Sequence, residues 1–218
     1  MVFALATTRR AAGLLIAISM ISAAALEDAA AQSETNPNLN AQLLVAARQG
    51  ETDRVAALLK QGAVISSRNR LGKTALFIAS EKGNATLTRA LIAAGSDVGV
   101  VSVEGVTPLM AASYTGSAEV VKMLLAAGAK TDPVDRMNKP AAVYAAGQGN
   151  TDALAALLDA GVPIDARYEH DLTVLMWAEG QGHPDTARML LGRGANAALR
   201  DDRGMTAHDI ALKAGQSS

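Results

Sequence analysis

The stretch Gly105–Lys130 reads GVTPLMAASYTGSAEVVKMLLAAGAK. Thr107 suits a helix N-cap, because its hydroxyl can accept an orphan backbone N–H, and Pro108 suits the first helical position, where no N–H is needed. Leu109, Ala111 and Ala112 continue a short helix whose small residues allow close approach of a neighbour. Gly116 stops it, as a residue tolerant of positive φ does. Val120, Val121, Leu124 and Leu125 recur at helical spacing and mark the apolar stripe of a second helix, which Gly128 ends. The residues from Ala129 to about Lys139 are polar and turn-rich, and predict an extended hairpin leading onward.

This unit is repeated. Gly62, Gly95, Gly128, Gly161 and Gly194 stand 33 residues apart, and Gly50, Gly83, Gly116, Gly149, Gly182 and Gly215 form a second comb with the same spacing. Two combs in constant phase mean one structural unit copied in tandem. That is the pattern of a solenoid, in which each unit buries its apolar face only against its neighbours.

The unit resembles the ankyrin repeat, whose pattern G-x-T-P-L-H-x-A-A-x-x-G-H-x-E-V-V-x-L-L-L-x-x-G-A is met almost in full by this copy. A second copy keeps Gly72, Thr74, Leu76, Ala79, Gly83, Leu91 and Gly95. A fourth has Pro140 and Ala142 where Thr and Leu are expected, then Ala145, Ala146, Gly149, Leu157, Leu158 and Gly161. A fifth has Thr173, Leu175, Ala178, Gly182, His183, Leu190, Leu191, Gly194 and Ala195, and the first has Leu43, Ala46, Ala47, Gly50, Leu58, Leu59 and Gly62. Asp202 to Gly215 supply one more first helix, with Gly204 and Thr206. The resemblance implies an all-α solenoid of stacked helix-turn-helix ankyrin repeats with connecting β-hairpin loops. Its repeats span about 38–69, 70–102, 103–135, 136–168 and 169–201, with a C-terminal half repeat at 202–216. One departure is consistent: the family's His in the first helix is replaced by Phe77, Met110, Val143, Met176 and Asp209, so the usual hydrogen bonding there is not expected. His183 stands where the family often has His at the start of the second helix, which implies a capping role.

Half the residues are hydrophobic, mostly Ala, Leu and Val, and the formal net charge is −1. Neither nucleic acid nor an anionic lipid surface is suggested as a partner. At the N-terminus Arg9 and Arg10 precede an apolar run from Ala11 to Ala25, followed by Ala29-Ala30-Ala31. Charged, apolar and small residues in that order predict a cleavable secretory signal peptide over 1–31, with 32–37 as a short linker. The run, about 15 residues long, falls short of the ~20 that cross a bilayer; an uncleaved anchor is the competing reading. The leader's Ala-rich style suggests a bacterial, periplasmic or secreted product using the general secretion route. The mature chain is expected to be monomeric and not inserted in a membrane.

With no Cys there is no thiol nucleophile and no thiolate metal site. His170, His183 and His208 share no ligand spacing with carboxylates on one helix face, and the glycine pairs belong to the repeat comb, not to a phosphate cradle. The expectation is no catalytic residue, no cofactor and no metal. Function then falls to the surface.

In ankyrin stacks the hairpin tips and first helices line a concave face that binds proteins. Carried onto this sequence, the resemblance implies contact positions at Arg70, Leu71, Lys73, Glu81 and Lys82, then at Val103, Glu104, Val106, Tyr114 and Thr115. The next copies add Arg136, Met137, Lys139 and Gln148, and Tyr168, Glu169, His170, Leu172 and Gln181. Every aromatic beyond the leader (Phe77, Tyr114, Tyr144, Tyr168, Trp177) falls in a first helix or hairpin, and aromatics concentrate at interface hot spots. Tyr144 and Trp177 share one repeat phase and have a second reading, as packing between adjacent first helices. The tip Gly99–Val106, GVVSVEGV, is unusually apolar. It is either part of a binding patch beside Tyr114 or a pair of strand residues packed on neighbouring hairpins. The resemblance implies a protein-binding scaffold; a small-molecule or cell-wall binder in the same groove is the alternative. Similar exported bacterial proteins also imply a role in protecting oxidative-stress enzymes.

Overall fold

The computed structural model describes residues 37–215. The expected leader lies outside them. Eleven α-helices follow one another: α1 (Pro37–Gln49), α2 (Thr52–Lys60), α3 (Ala75–Glu81), α4 (Ala85–Ala93), α5 (Pro108–Thr115), α6 (Ala118–Ala126), α7 (Ala141–Gly147), α8 (Thr151–Asp159), α9 (Val174–Gly180), α10 (Pro184–Gly192) and α11 (Ala207–Lys213). None of the described residues forms a strand. The odd-numbered helices stack on one another, the even-numbered ones form a second row behind them, and each helix pair packs within itself. The chain is an all-helical solenoid.

Local chemistry sets these bounds. Thr74, Thr107, Thr173 and Thr206 are extended N-caps whose hydroxyls accept from Phe77, Met110, Met176 and Asp209 N–H. α5 adds Pro108 at its first turn and ends on Gly116 at φ 81°. The residue standing in for the family's His completes the cap in three repeats. Asp209 accepts from both Thr206 N–H and its hydroxyl, while the sulfurs of Met110 and Met176 accept weakly from Thr107 and Thr173 N–H at 3.3 and 3.5 Å. Phe77 and Val143 carry no acceptor.

Leu76, Leu87, Leu91, Leu109, Leu124, Leu154, Leu157 and Leu175 are wholly or almost wholly buried in one continuous core, with alanines between them. Most alanines at helix contacts lie in the first row: Ala75, Ala79, Ala112, Ala141, Ala142, Ala145, Ala146 and Ala178 are all buried. Small side chains suit the close packing of first helix on first helix. On the outer row Arg89–Glu119 at 2.9 Å and Arg193–Asp159 at 2.6 Å tie neighbouring repeats. Both are exposed pairs, worth roughly 0.2–1 kcal/mol each.

The hairpins are built by one recurring device. Asn69, Ser102, Asp135 and Asp201 each use a side-chain oxygen to accept two backbone N–H groups, those two and four residues on. Their own N–H groups bond the carbonyl four residues on, closing the turn. Successive tips are then stitched together: Val103 N–H donates to Leu71 O, Arg136 N–H to Glu104 O, and Asp202 N–H to His170 O. In the fourth tip Tyr168 holds this position and has no oxygen to offer at that distance from its backbone. There the chain makes a 3₁₀ turn at Glu169–Asp171, with His170 and Asp171 at φ 61° and 58°.

Among α3, α5, α7, α9 and α11, α7 alone starts without a side-chain cap bond. Pro140 is its N-cap and supplies no side-chain bond, which costs of order 1 kcal/mol relative to a Thr cap. Amide hydrogen exchange is expected to be several-fold faster through α7 than through α5. Equal protection of the two helices would contradict this.

Candidate binding groove on the inner row

Two shallow grooves adjoin on the face formed by the first helices and the tips. The first has a volume of about 160 Å³ and lies between the second and third repeats; Lys73, Phe77, Glu81, Glu104, Met110 and Tyr114 are on its walls. The second, about 290 Å³, lies between the third, fourth and fifth; its walls are Tyr114, Met137, Lys139, Val143, Gly147, Gln148, Trp177 and Gln181. Tyr114 and Tyr144 belong to both. Their rings meet edge to face, 5.9 Å between centroids at 80°, an arrangement worth about 0.5–1.5 kcal/mol beyond area burial.

The position of Tyr144 is fixed by the hairpin below it. Its hydroxyl donates to the buried Asp135 carboxylate at 2.5 Å, and that carboxylate also accepts from Met137 and Lys139 N–H. Burial of the ring, followed by this bond to Asp135, raises the Tyr144 pKa well above its ordinary value. The phenol therefore stays protonated and keeps donating at neutral pH. Lys139 lies flat on the next aromatic, its Nζ 4.9 Å from the Trp177 ring centroid. Lys73 does the same over Phe77 at 5.0 Å, but it is also paired with Glu81 at 2.6 Å. The Trp177 indole N–H is buried without an acceptor among the described residues, at a cost of about 1–3 kcal/mol. Tyr144 and Trp177 each pack against the core and each form part of a groove wall.

Of the positions carried over from the resemblance, Lys73, Glu81, Glu104, Val106 and Tyr114 come together in the first groove. Tyr114, Met137, Lys139, Gln148 and Gln181 come together in the second. His170 and Leu172 line a separate hollow at the last tips, with Asp202 and Arg203, and His170 Nδ1 lies 2.8 Å from Asp202. Arg70, Leu71, Val103, Arg136 and Glu169 stand exposed on the tips, and Lys82 and Thr115 are exposed at the far ends of first helices. Tyr168 is half-buried against the core and lines none of these grooves; burial raises its pKa. Val101 and Val103, which could have packed on neighbouring hairpins, are 40% and 47% exposed. With Leu71 and Met137 at 52% and 56%, they make the tips an apolar ridge. Phe77, Met110, Val143 and Gly147 were not foreseen as groove residues. Their signal was available: each shares a first helix with a position already singled out.

His183 does not cap its helix. It is the N-cap residue of α10 without a side-chain cap bond, and its ring Nε2 instead pairs with Gly147 O of the preceding repeat at 3.0 Å. Asn150, one repeat earlier, uses its amide in the same way, donating to Ser113 O and Tyr114 O. These side chains satisfy the carbonyls left open at the ends of α5 and α7. They also explain two glycines of the second comb. A Cβ on Gly116 would sit 2.5 Å from the Asn150 side chain and one on Gly149 2.5 Å from the His183 ring, at backbone φ of 81° and 70°. Gly149→Ala is expected to cost about 2–3 kcal/mol, from left-handed strain of roughly 1–2 and the lost bridge of roughly 1. Urea denaturation checks it, and a cost below 0.5 kcal/mol would contradict it.

The family model for ankyrin repeats (3 copies) matches residues 43–135 and 142–218, well over half of the chain. The chain belongs to the ankyrin repeat family. No curated protein matches it. Ankyrin repeats are generally protein–protein interaction scaffolds, and proteins built from them are typically non-catalytic. No described helix is long and apolar enough to cross a membrane, and among the described residues no group of three or more His, Cys, Asp or Glu could hold a metal ion.

Proposed function

We propose that this ankyrin stack is a non-catalytic scaffold of the bacterial periplasm, exported by its N-terminal segment, monomeric, and engaged by one protein partner along the inner row. The observation that carries the reading is the continuity of the two grooves through Tyr114 and Tyr144 beneath the apolar ridge of Leu71, Val103 and Met137. Aromatic anchors flanked by exposed aliphatic side chains, with Arg70, Lys82 and Arg136 around them, match the anatomy of a protein interface: an apolar centre and a charged rim. A small molecule in these grooves would leave the aliphatic ridge above them uncovered, whereas a protein segment would cover both. That favours a protein segment over a small molecule.

Cross-linking in intact cells, with the chain as bait, tests the reading when combined with fractionation and N-terminal sequencing. The expected result is a periplasmic product beginning near Gln32 and cross-linked to one dominant partner. A full-length cytosolic product would remove the export claim, and recovery of no partner would remove the scaffold claim.

A further inference from the structure

The two grooves differ in charge, and the repeat phase shows why. Lys73 and Lys139 occupy the same position two repeats apart, as do Glu81 and Gly147. In the first groove Lys73 lies over an aromatic ring and is neutralised by Glu81 at 2.6 Å. In the second, Lys139 also lies over an aromatic ring, here Trp177 of the following repeat rather than a ring of its own, and a glycine stands at the position that Glu81 fills. Lys139 forms no ion pair among the described residues, and no acidic side chain lines the second groove. Asp135 is buried behind it, with its carboxylate committed to Tyr144 and two backbone N–H groups. Besides Tyr144, whose hydroxyl is taken by Asp135, the remaining polar side chains on its walls are Tyr114, Gln148, Trp177 and Gln181, and each can donate. The groove is therefore apolar, donor-rich and short of one negative charge.

We propose that the partner supplies that charge: the second groove takes an Asp or Glu side chain of a protein segment, whose carboxylate pairs with Lys139 where Glu81 pairs with Lys73. Apolar residues of the same segment then lie on Tyr114, Met137 and Val143. This rests on the inner row being the binding face, and it deepens that reading by naming the partner's chemistry. Desolvation beside the Trp177 ring strengthens such a pair relative to a surface salt bridge. Gly147 leaves the space. Its φ is not in the left-handed region, and a Cβ there would meet only Trp177, at an ordinary contact distance of 3.7 Å.

The test uses the mature chain and an array of ten-residue peptides. Each carries a central Glu, Gln or Lys flanked by Leu, Ile, Phe and Tyr. Wild type is expected to retain Glu peptides at least tenfold more tightly than their Gln counterparts and to reject the Lys ones. In Lys139→Met, which keeps an apolar stem against Trp177, the Glu/Gln ratio should fall to near one. Gly147→Glu restores the internal carboxylate and should lower Glu-peptide retention at least tenfold more than Gly147→Gln, which adds nearly the same bulk without charge. Circular dichroism and melting confirm that each variant is folded. A wild-type preference for Gln or Lys peptides, or a Glu preference that survives Lys139→Met, would overturn the assignment of an acidic partner while leaving the groove as a binding face. Retention of no peptide by folded wild type would overturn both.

Discussion

Replacing Asp135 by alanine is expected to destabilise the stack by about 2–4 kcal/mol. One carboxylate, 6% exposed, accepts Met137 N–H, Lys139 N–H and the Tyr144 hydroxyl. Removing it leaves three donors in a half-buried hairpin without their acceptor, and each costs roughly 1 kcal/mol or more. The consequence extends beyond one tip, because Arg136 N–H joins this hairpin to Glu104 O and Tyr144 is half of the aromatic pair shared by the two grooves. Asp135→Asn should behave differently. Its amide oxygen can still accept both backbone N–H groups, as Asn69 does in the second repeat, and its NH2, in place of the second carboxylate oxygen, donates to a reoriented Tyr144 hydroxyl, so its cost should stay within about 1 kcal/mol, the loss of one charge-assisted bond. Urea unfolding of the three proteins decides the matter. An alanine variant as stable as the asparagine variant would show that the carboxylate does not organise the hairpin.

Partner capture is expected to fall at least tenfold in the double variant Val103→Asp with Tyr114→Ala, a loss of about 1.4 kcal/mol or more. Both side chains are about half exposed, so their replacement leaves the core intact, and loss of the Tyr144 ring contact lowers the melting temperature by only a few degrees. Tyr114 contributes a wall to each groove and the edge-to-face contact with Tyr144. Val103 contributes to the apolar ridge, where a new carboxylate opposes desolvation. Unchanged capture by a folded variant would mean that the partner binds another face.

The fold was legible because it is local and periodic. The two glycine combs fall one or two residues beyond the helix ends, and the Thr-Pro-Leu motif of the third repeat marks the start of α5. Each unit contacts only its neighbours, so no long-range pairing had to be guessed. What the sequence concealed was contact between repeats. His183 was read from its own repeat as a cap, yet it reaches back to Gly147 O of the previous one. The glycines of the second comb were read as helix stops, yet Gly149 also makes room for that imidazole. A single unit's pattern contains neither fact. Similarly, the resemblance names the inner-row positions as one set, but not their division between two grooves of unlike charge. That division depends on Glu81 reaching Lys73 and on Gly147 having nothing to offer Lys139. The place of Tyr168 in a hairpin points to a contact residue, and its packing against the core is not visible in its own repeat's pattern.

The central claim is that the inner row is the face that holds a protein partner, and site-specific photo-cross-linking tests it most directly. A photoreactive phenylalanine analogue is placed at Met137, exposed on a tip beside the second groove, or at Lys122, exposed on α6 in the outer row. The account predicts a single discrete adduct from position 137, lost when Val103→Asp and Tyr114→Ala are added, and none from position 122. An adduct from position 122 alone would contradict it.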